Sequence, residues 1–186
     1  MSSSEGTGLL MGIADPPYLG RAARWYGVGG RGSGGGAHRA DEHEAAAEWD
    51  NPAKHHELIS RLMDEYGAWA VALHPSSLPL YLNRVPPTAQ VMVWHKRNAV
   101  PSGARLRNCW EPVIVWTPRR ARGTGQAVND VLDAPAPGGG FAGAKPPAWT
   151  RWVLDALGFD HERDVLADLF HGSGAVAGEA AQGVLL

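Results

Sequence analysis

Two apolar runs, Leu9-Leu10-Met11-Gly12-Ile13 and Val165-Leu166-Ala167-Asp168-Leu169, each lead straight into a turn of distinctive chemistry. The first delivers Asp15-Pro16-Pro17-Tyr18 and the second Phe170-His171-Gly172-Ser173-Gly174. Runs this short and apolar read as buried strands, and ligands of open α/β sheets sit beyond the carboxyl ends of the strands. Both turns are therefore expected on one rim of one sheet, although most of the chain separates them.

The intervening sequence supplies the rest of that sheet. Leu58, Ile59, Leu62, Met63 and Tyr66 mark one face of a helix over about 55–66, with Gly67 placed to end it. Residues 68–73 are continuously apolar, as in a strand buried on both faces. Gln90 to His95 and Pro112 to Trp116 read as two more strands, and Ser76 or Ser77 is placed to cap a short helix toward Leu82. Trp149, Trp152, Val153, Ala156 and Leu157 form a helical stripe stopped by Gly158, and residues 175–182 read as a last short helix. Strands alternating with helices predict a single α/β domain over 1–186.

Two segments stand apart. Glycines at 27, 29, 30, 32, 34, 35 and 36 predict a flexible insert at about 27–48, whose acidic part (Asp41, Glu42, Glu44, Glu48) has a helical alternative. Gly27, Gly29 and Gly32 match G-x-G-x-x-G, but no strand leads into them. Residues 117–144, rich in Pro, Gly and Arg, read as a long loop.

At 186 residues and 44% hydrophobic content, the chain can bury a real core. No run approaches the ~20 apolar residues of a membrane span, and no signal-peptide pattern is present. The single Cys109 allows no internal disulfide, so the expected compartment is the reducing cytoplasm. Net charge is −2, yet Lys96, Arg97, Arg105, Arg107, Arg119, Arg120 and Arg122 face only Glu111 across 96–122. Such a stripe suits phosphate contacts, so nucleic acid is the expected partner; the plain alternative is a solvated loop.

The residue types of the first turn are suited to activating an exocyclic amino group. An exocyclic amino group on a nucleobase is a poor nucleophile because its lone pair is delocalised into the ring. Two acceptors on its hydrogens, the Asp15 carboxylate and the Pro16 carbonyl, would pull the nitrogen toward tetrahedral geometry. Pro16 and Pro17 stiffen the turn, and Tyr18 offers a face on which an extruded base can stack. The plain alternative is a turn after a strand. The glycine turn at 170–174, following a strand and opening a helix, suits close approach of backbone to a ligand. Here the alternative is a tight turn with no ligand.

Together, Asp15-Pro16-Pro17-Tyr18 first and Phe170-x-Gly172-x-Gly174 last resemble the permuted, β-type S-adenosylmethionine-dependent amino methyltransferases. The resemblance covers most of the chain. Gly143-Ala144-Lys145-Pro146 and the run Trp94-His95-Lys96 … Arg107-Asn108-Cys109-Trp110-Glu111 are similar to further elements of bacterial and phage members. The resemblance implies a compact, circularly permuted Rossmann-like methyltransferase fold, with the catalytic half first and the cofactor loop last. It implies methyl transfer from S-adenosylmethionine to adenine N6 of DNA, as in restriction–modification or phage enzymes. Asp15, Pro16, Pro17 and Tyr18 would be catalytic. Lys145, Pro146, Asp168, Phe170, Gly172, Ser173 and Gly174 would hold the cofactor, with Lys145 near its carboxylate. Lys96, Arg105, Arg107, Arg119 and Arg120 would meet nucleic acid, and Glu111 would orient Arg107 or the base.

Fuller members continue into a second strand whose terminal acid binds the cofactor ribose; here Asp168 and Glu179 are the nearest acids, and the expected sheet is smaller. The alternatives left open are cytosine N4 methylation, RNA adenosine methylation, and a catalytically silent nucleic-acid-binding subunit. Target recognition would come from a homodimer or second subunit or from the loop at 19–54, the remaining alternative being low sequence specificity. Cys109 lacks the preceding proline of C5-cytosine chemistry and reads as a core thiol. His38, His43, His55 and His56 fit no ordinary zinc spacing, so no metal is expected. Most of the eight tryptophans read as core, with Trp25 standing closest after the first turn.

Overall fold

The computed structural model describes residues 8–29, 44–99, 105–119, 127–137 and 143–170. Among these, six strands form one mixed sheet: β1 (Leu10–Ala14), β2 (Ala68–Ala72), β3 (Gln90–His95), β4 (Trp110–Trp116), β5 (Val131–Asp133) and β6 (Val165–Asp168). Their spatial order is β5-β3-β4-β2-β1-β6. β1 is parallel to both β2 and β6, and β3 is parallel to β5, whereas β4 runs antiparallel to β2 and β3. Five strands thus point their carboxyl ends to one rim, and β4 alone brings its amino end there. The α/β expectation holds, with a mixed sheet flanked by helices.

Alternation along β2 divides the core. Ala68, Ala70 and Ala72 face the helix α4 (Pro147–Leu157), packing with Trp149, Trp152, Val153 and Leu157. The small alanines leave room for two indoles on that side. Trp69, Val71 and Leu73 face the other way, toward Leu58, Ile59, Leu62 and Tyr66 of α2 (Pro52–Glu65) and Tyr81 of α3 (Leu78–Leu82). Covered on both faces, all five residues of β2 are buried. α2 also supplies the crossover that the parallel β1–β2 pairing requires.

Local chemistry sets the element ends. Asn51 accepts from the Ala53 N–H, and Pro52 opens α2 at a position where no N–H is needed. α2 therefore begins earlier than its apolar stripe alone indicates. Before α3, the cap is not a serine hydroxyl: His74 Nδ1 accepts from the Ser76 N–H at the head of a 3-10 turn (Pro75–Ser77). α4 opens with Pro147 after Pro146 and ends at the expected Gly158, with φ +69. Pro112 sits inside β4 because its carbonyl accepts from Leu73 N–H on the flank where β2 has already ended. Its missing N–H therefore breaks no ladder bond.

Two expectations change, and for the described acidic part of the insert the helical alternative is the one found. The 117–144 loop contains β5, which pairs with β3 at the sheet edge. The end of the expected flexible insert is a 3-10 helix (Glu44–Asp50), and its Asp50 carboxylate accepts from the Ala22 and Ala23 N–H groups of α1 (Ala22–Tyr26). Cys109 is half-buried rather than core. The expected helix at 175–182 lies outside the described residues. No described helix is long and apolar enough to cross a membrane.

Candidate active site at the carboxyl rim

β1 and β6 lie side by side, with Ile13 opposite Asp168 and the Leu169 N–H donating to the Ile13 carbonyl. Asp15 and Phe170 thus leave neighbouring parallel strands on the same rim. The chain moves from β1 to β2 on one side and arrives at β6 on the other. This is a topological switch point, where open α/β sheets bind ligands.

At this rim Asp15, Tyr18, Lys96, Glu111 and Lys145 form one connected cluster. Lys145 Nζ donates to Asp15 Oδ2 at 2.7 Å, to the Gly143 carbonyl at 3.1 Å and to the Tyr18 hydroxyl at 3.2 Å. Glu111 Oε2 stands 3.5 Å from the same ammonium. The Tyr18 hydroxyl donates to Glu111 Oε2 at 2.9 Å, and Lys96 Nζ donates to Glu111 Oε1 at 2.7 Å. Tyr18 has a single hydroxyl proton, and the shorter contact claims it. Asp15 Oδ1, 3.4 Å from that hydroxyl, keeps acceptor capacity.

The two carboxylates are tuned in opposite directions. Burial raises Asp15 above its ordinary value and outweighs the lowering by Lys145. Burial also pushes Glu111 up, but Lys145, Lys96 and the hydrogen bonds from Lys96 and Tyr18 hold it below its ordinary value. Lys145 is pulled down by burial, yet Asp15 and Glu111 hold its ammonium well above the usual lysine range. Burial, with both carboxylates nearby, raises the Tyr18 phenol well above its usual range. Asp15 is therefore the more readily protonated carboxyl, while Glu111 favours its anion and Lys145 its cation. The Asp15 side chain remains 29% exposed, so the rim is open to it.

No protein-family model matches the chain, and no curated protein matches it.

The expected residues fare unequally. Asp15, Tyr18 and Lys145 converge, with Pro16 buried beneath the turn. Lys145 differs from expectation in one respect: its three N–H groups are engaged by Asp15, Tyr18 and Gly143 rather than left for a cofactor carboxylate. Pro146 caps α4 behind it. Asp168 Oδ1 accepts from the Phe170 N–H, bending the chain off β6, and the Phe170 ring packs edge-on against Trp49 at 5.1 Å. Gly172, Ser173, Gly174 and Arg120 lie outside the described residues. Arg105 and Arg107 are exposed beside the amino end of β4. Glu111 meets Lys96, Tyr18 and Lys145 rather than orienting Arg107, so Lys96 is committed to it.

Arg119 is a correction. Its guanidinium grips Asp164 with two 2.7 Å bonds and also donates to the Gly158 carbonyl. Asp164, whose side chain is 0% exposed, further accepts from the Leu9 and Asp160 N–H groups. Arg119 therefore ties the segment after β4 to the turn before β6.

The residue missed by sequence reasoning is His74. It follows the apolar run of β2 just as Asp15 follows that of β1, and its ring lies 6.0 Å from the Tyr18 ring. Burial, reinforced by Arg21 and Lys96 and opposed by Glu111, pushes it down to about 4, so it is neutral near pH 7. Its Nε2 stands 2.9 Å from the side-chain amide of Asn108. His55, by contrast, is structural: its ring nitrogens meet the Tyr81 hydroxyl and the Trp49 carbonyl.

Proposed function

We propose that this protein is an S-adenosylmethionine-dependent amino methyltransferase of nucleic acid, acting on adenine N6 of DNA through a permuted Rossmann-like domain. The observation that carries the reading is the switch-point rim, where Asp15 stands beside the outgoing end of β6. The protonation pattern supports it. Asp15 Oδ2 is anchored by Lys145, and Oδ1 retains acceptor capacity for an amino N–H. The Pro16 carbonyl provides the second acceptor in the proposed pose. As the methyl group is transferred, the amino nitrogen becomes acidic, and the raised Asp15 carboxyl is suited to take its proton. Glu111 then keeps Lys145 charged and in place while Asp15 is neutral. Tyr18, anchored through its hydroxyl, would present its ring to the base.

The proposed cofactor would lie at the switch point beside Phe170, where the sequence carries Gly172-Ser173-Gly174 for its methionine part. S-adenosylmethionine supplies the electrophilic sulfonium methyl. Arg105 and Arg107, exposed beside the rim, would meet phosphates. The occupied Lys145 favours one second reading, in which the chain is a silent subunit that binds nucleic acid beside an active partner.

The test is methyl transfer from labelled S-adenosylmethionine to DNA, followed by digestion to nucleosides and mass analysis. The expected product is N6-methyladenine, with Asp15→Ala reducing the rate at least about a hundredfold while the fold persists. Nucleic-acid binding without turnover by the native chain would favour the silent subunit. Undiminished turnover in Asp15→Ala would overturn the assigned roles.

A further inference from the structure

We propose that His74 holds the Asn108 side chain with its NH2 group facing the rim, where it donates to the ring nitrogen beside the reacting amino group. The inference rests on the amino-methyltransferase reading and names what selects the base. His74 is a positioning residue, and Asn108 is the reader.

The geometry decides the hydrogen positions. The Ser76 backbone N–H points at His74 Nδ1 across 3.2 Å, and a backbone donor cannot be reversed. Nδ1 must therefore be the unprotonated nitrogen, and the Ser76 hydroxyl, 2.7 Å away, donates to it as well. A neutral imidazole then carries its proton on Nε2. That N–H cannot face an amide nitrogen at 2.9 Å, so the Asn108 amide adopts the orientation with its oxygen on Nε2. The NH2 group is turned outward. Asn108 is exposed, and it lies just before β4, the one strand among the described residues whose amino end reaches this rim.

A donor at this place is selective. Adenine and cytosine each carry an acceptor ring nitrogen next to the carbon bearing the amino group. Guanine and thymine carry an N–H at the corresponding position and would oppose the amide. Asp15 accepting from the amino group and Asn108 donating to its neighbour together match the edge shared by the two bases that can be methylated on an exocyclic amine. Stacking on Tyr18 would present that edge sideways, toward the His74 side of the rim.

The test removes one atom from each partner. Single-stranded oligonucleotides would carry the base that the native protein methylates, or its deaza analogue lacking the ring acceptor: 1-deazaadenine for adenine, 3-deazacytosine for cytosine. The native protein is expected to lose roughly 10- to 100-fold in kcat/KM on the analogue. Asn108→Ala is expected to shrink that native ratio by roughly 10-fold or more; any intrinsic effect of the ring change is present in both proteins and cancels when the two ratios are compared. His74→Phe should erase most of the same ratio. Imidazole 15N spectra of the native protein should show Nδ1 of His74 unprotonated. Full discrimination in Asn108→Ala, or a protonated Nδ1, would overturn the inference. A native protein that methylates neither adenine nor cytosine would overturn the underlying reading, and this inference with it.

Discussion

Lys145 and Asp15 stand 130 residues apart in the chain and 2.7 Å apart in the fold. Glu111 shares the same ammonium at 3.5 Å, so one buried cation serves two carboxylates that come from different strand ends. Most of the site's behaviour follows from that sharing.

Lys145→Met should destabilise the protein by about 1–3 kcal/mol near pH 7, because it leaves the part-buried Asp15 carboxylate without its cation. Without the lysine, the Asp15 carboxyl rises further above its ordinary 3.8. A raised carboxyl makes the fold gain on the unfolded chain as pH falls. The difference from the native protein should therefore narrow between pH 7 and pH 5, as read by urea unfolding at both values.

Glu111 has the opposite sign. Its folded carboxyl lies below the ordinary 4.5, so it contributes stability that is present above that value and lost as pH falls through the lowered one. Glu111→Gln lacks this contribution. The stability gap between native protein and variant should be widest at neutral pH and shrink below about pH 4, measured by denaturant titration across the range.

Arg119 and its exposed neighbours should separate cleanly. Arg105→Ala or Arg107→Ala should each reduce the salt slope of DNA binding by about one while leaving stability almost unchanged. Arg119→Ala should leave that slope alone and cost about 3 kcal/mol of stability, because Asp164 stays buried without its cation. A salt series of binding constants, set beside thermal unfolding, checks both halves.

Gly12 tests the packing under the site. A Cβ there would meet the Tyr66 ring at 2.9 Å and Leu62 at 3.2 Å. Gly12→Ala should cost about 1–3 kcal/mol, with the loss visible in the urea midpoint.

The sequence showed the sheet where strands were long and apolar. β1, β2, β3 and β6 lie within a residue or so of their expected places, most plainly β2, whose five residues are all buried between the two helical layers. β5 was missed: Val131-Leu132-Asp133 is too short to carry a period, and only its pairing with β3 makes it a strand. The Asp15 turn was legible because its residue types carry their own chemistry. The partners of Glu111 were not, since Tyr18 lies 93 residues away and only the reversal of β4 brings the two together. His74 had a usable signal, the same strand-end position as Asp15. A histidine there carries no chemistry of its own in the sequence, because its partners Asn108 and Tyr18 lie 34 or more residues away.

The placement of β6 beside β1 has a consequence for synthesis. Leu9 and Asp164, which fasten those strands, are 155 residues apart, so β1 leaves the ribosome long before its second flank can be filled. At ordinary elongation speeds that interval is on the order of ten seconds, during which an apolar strand edge stays open to other chains. Slow translation should therefore favour precipitation, and a chaperone that shields nascent strands should raise the soluble yield.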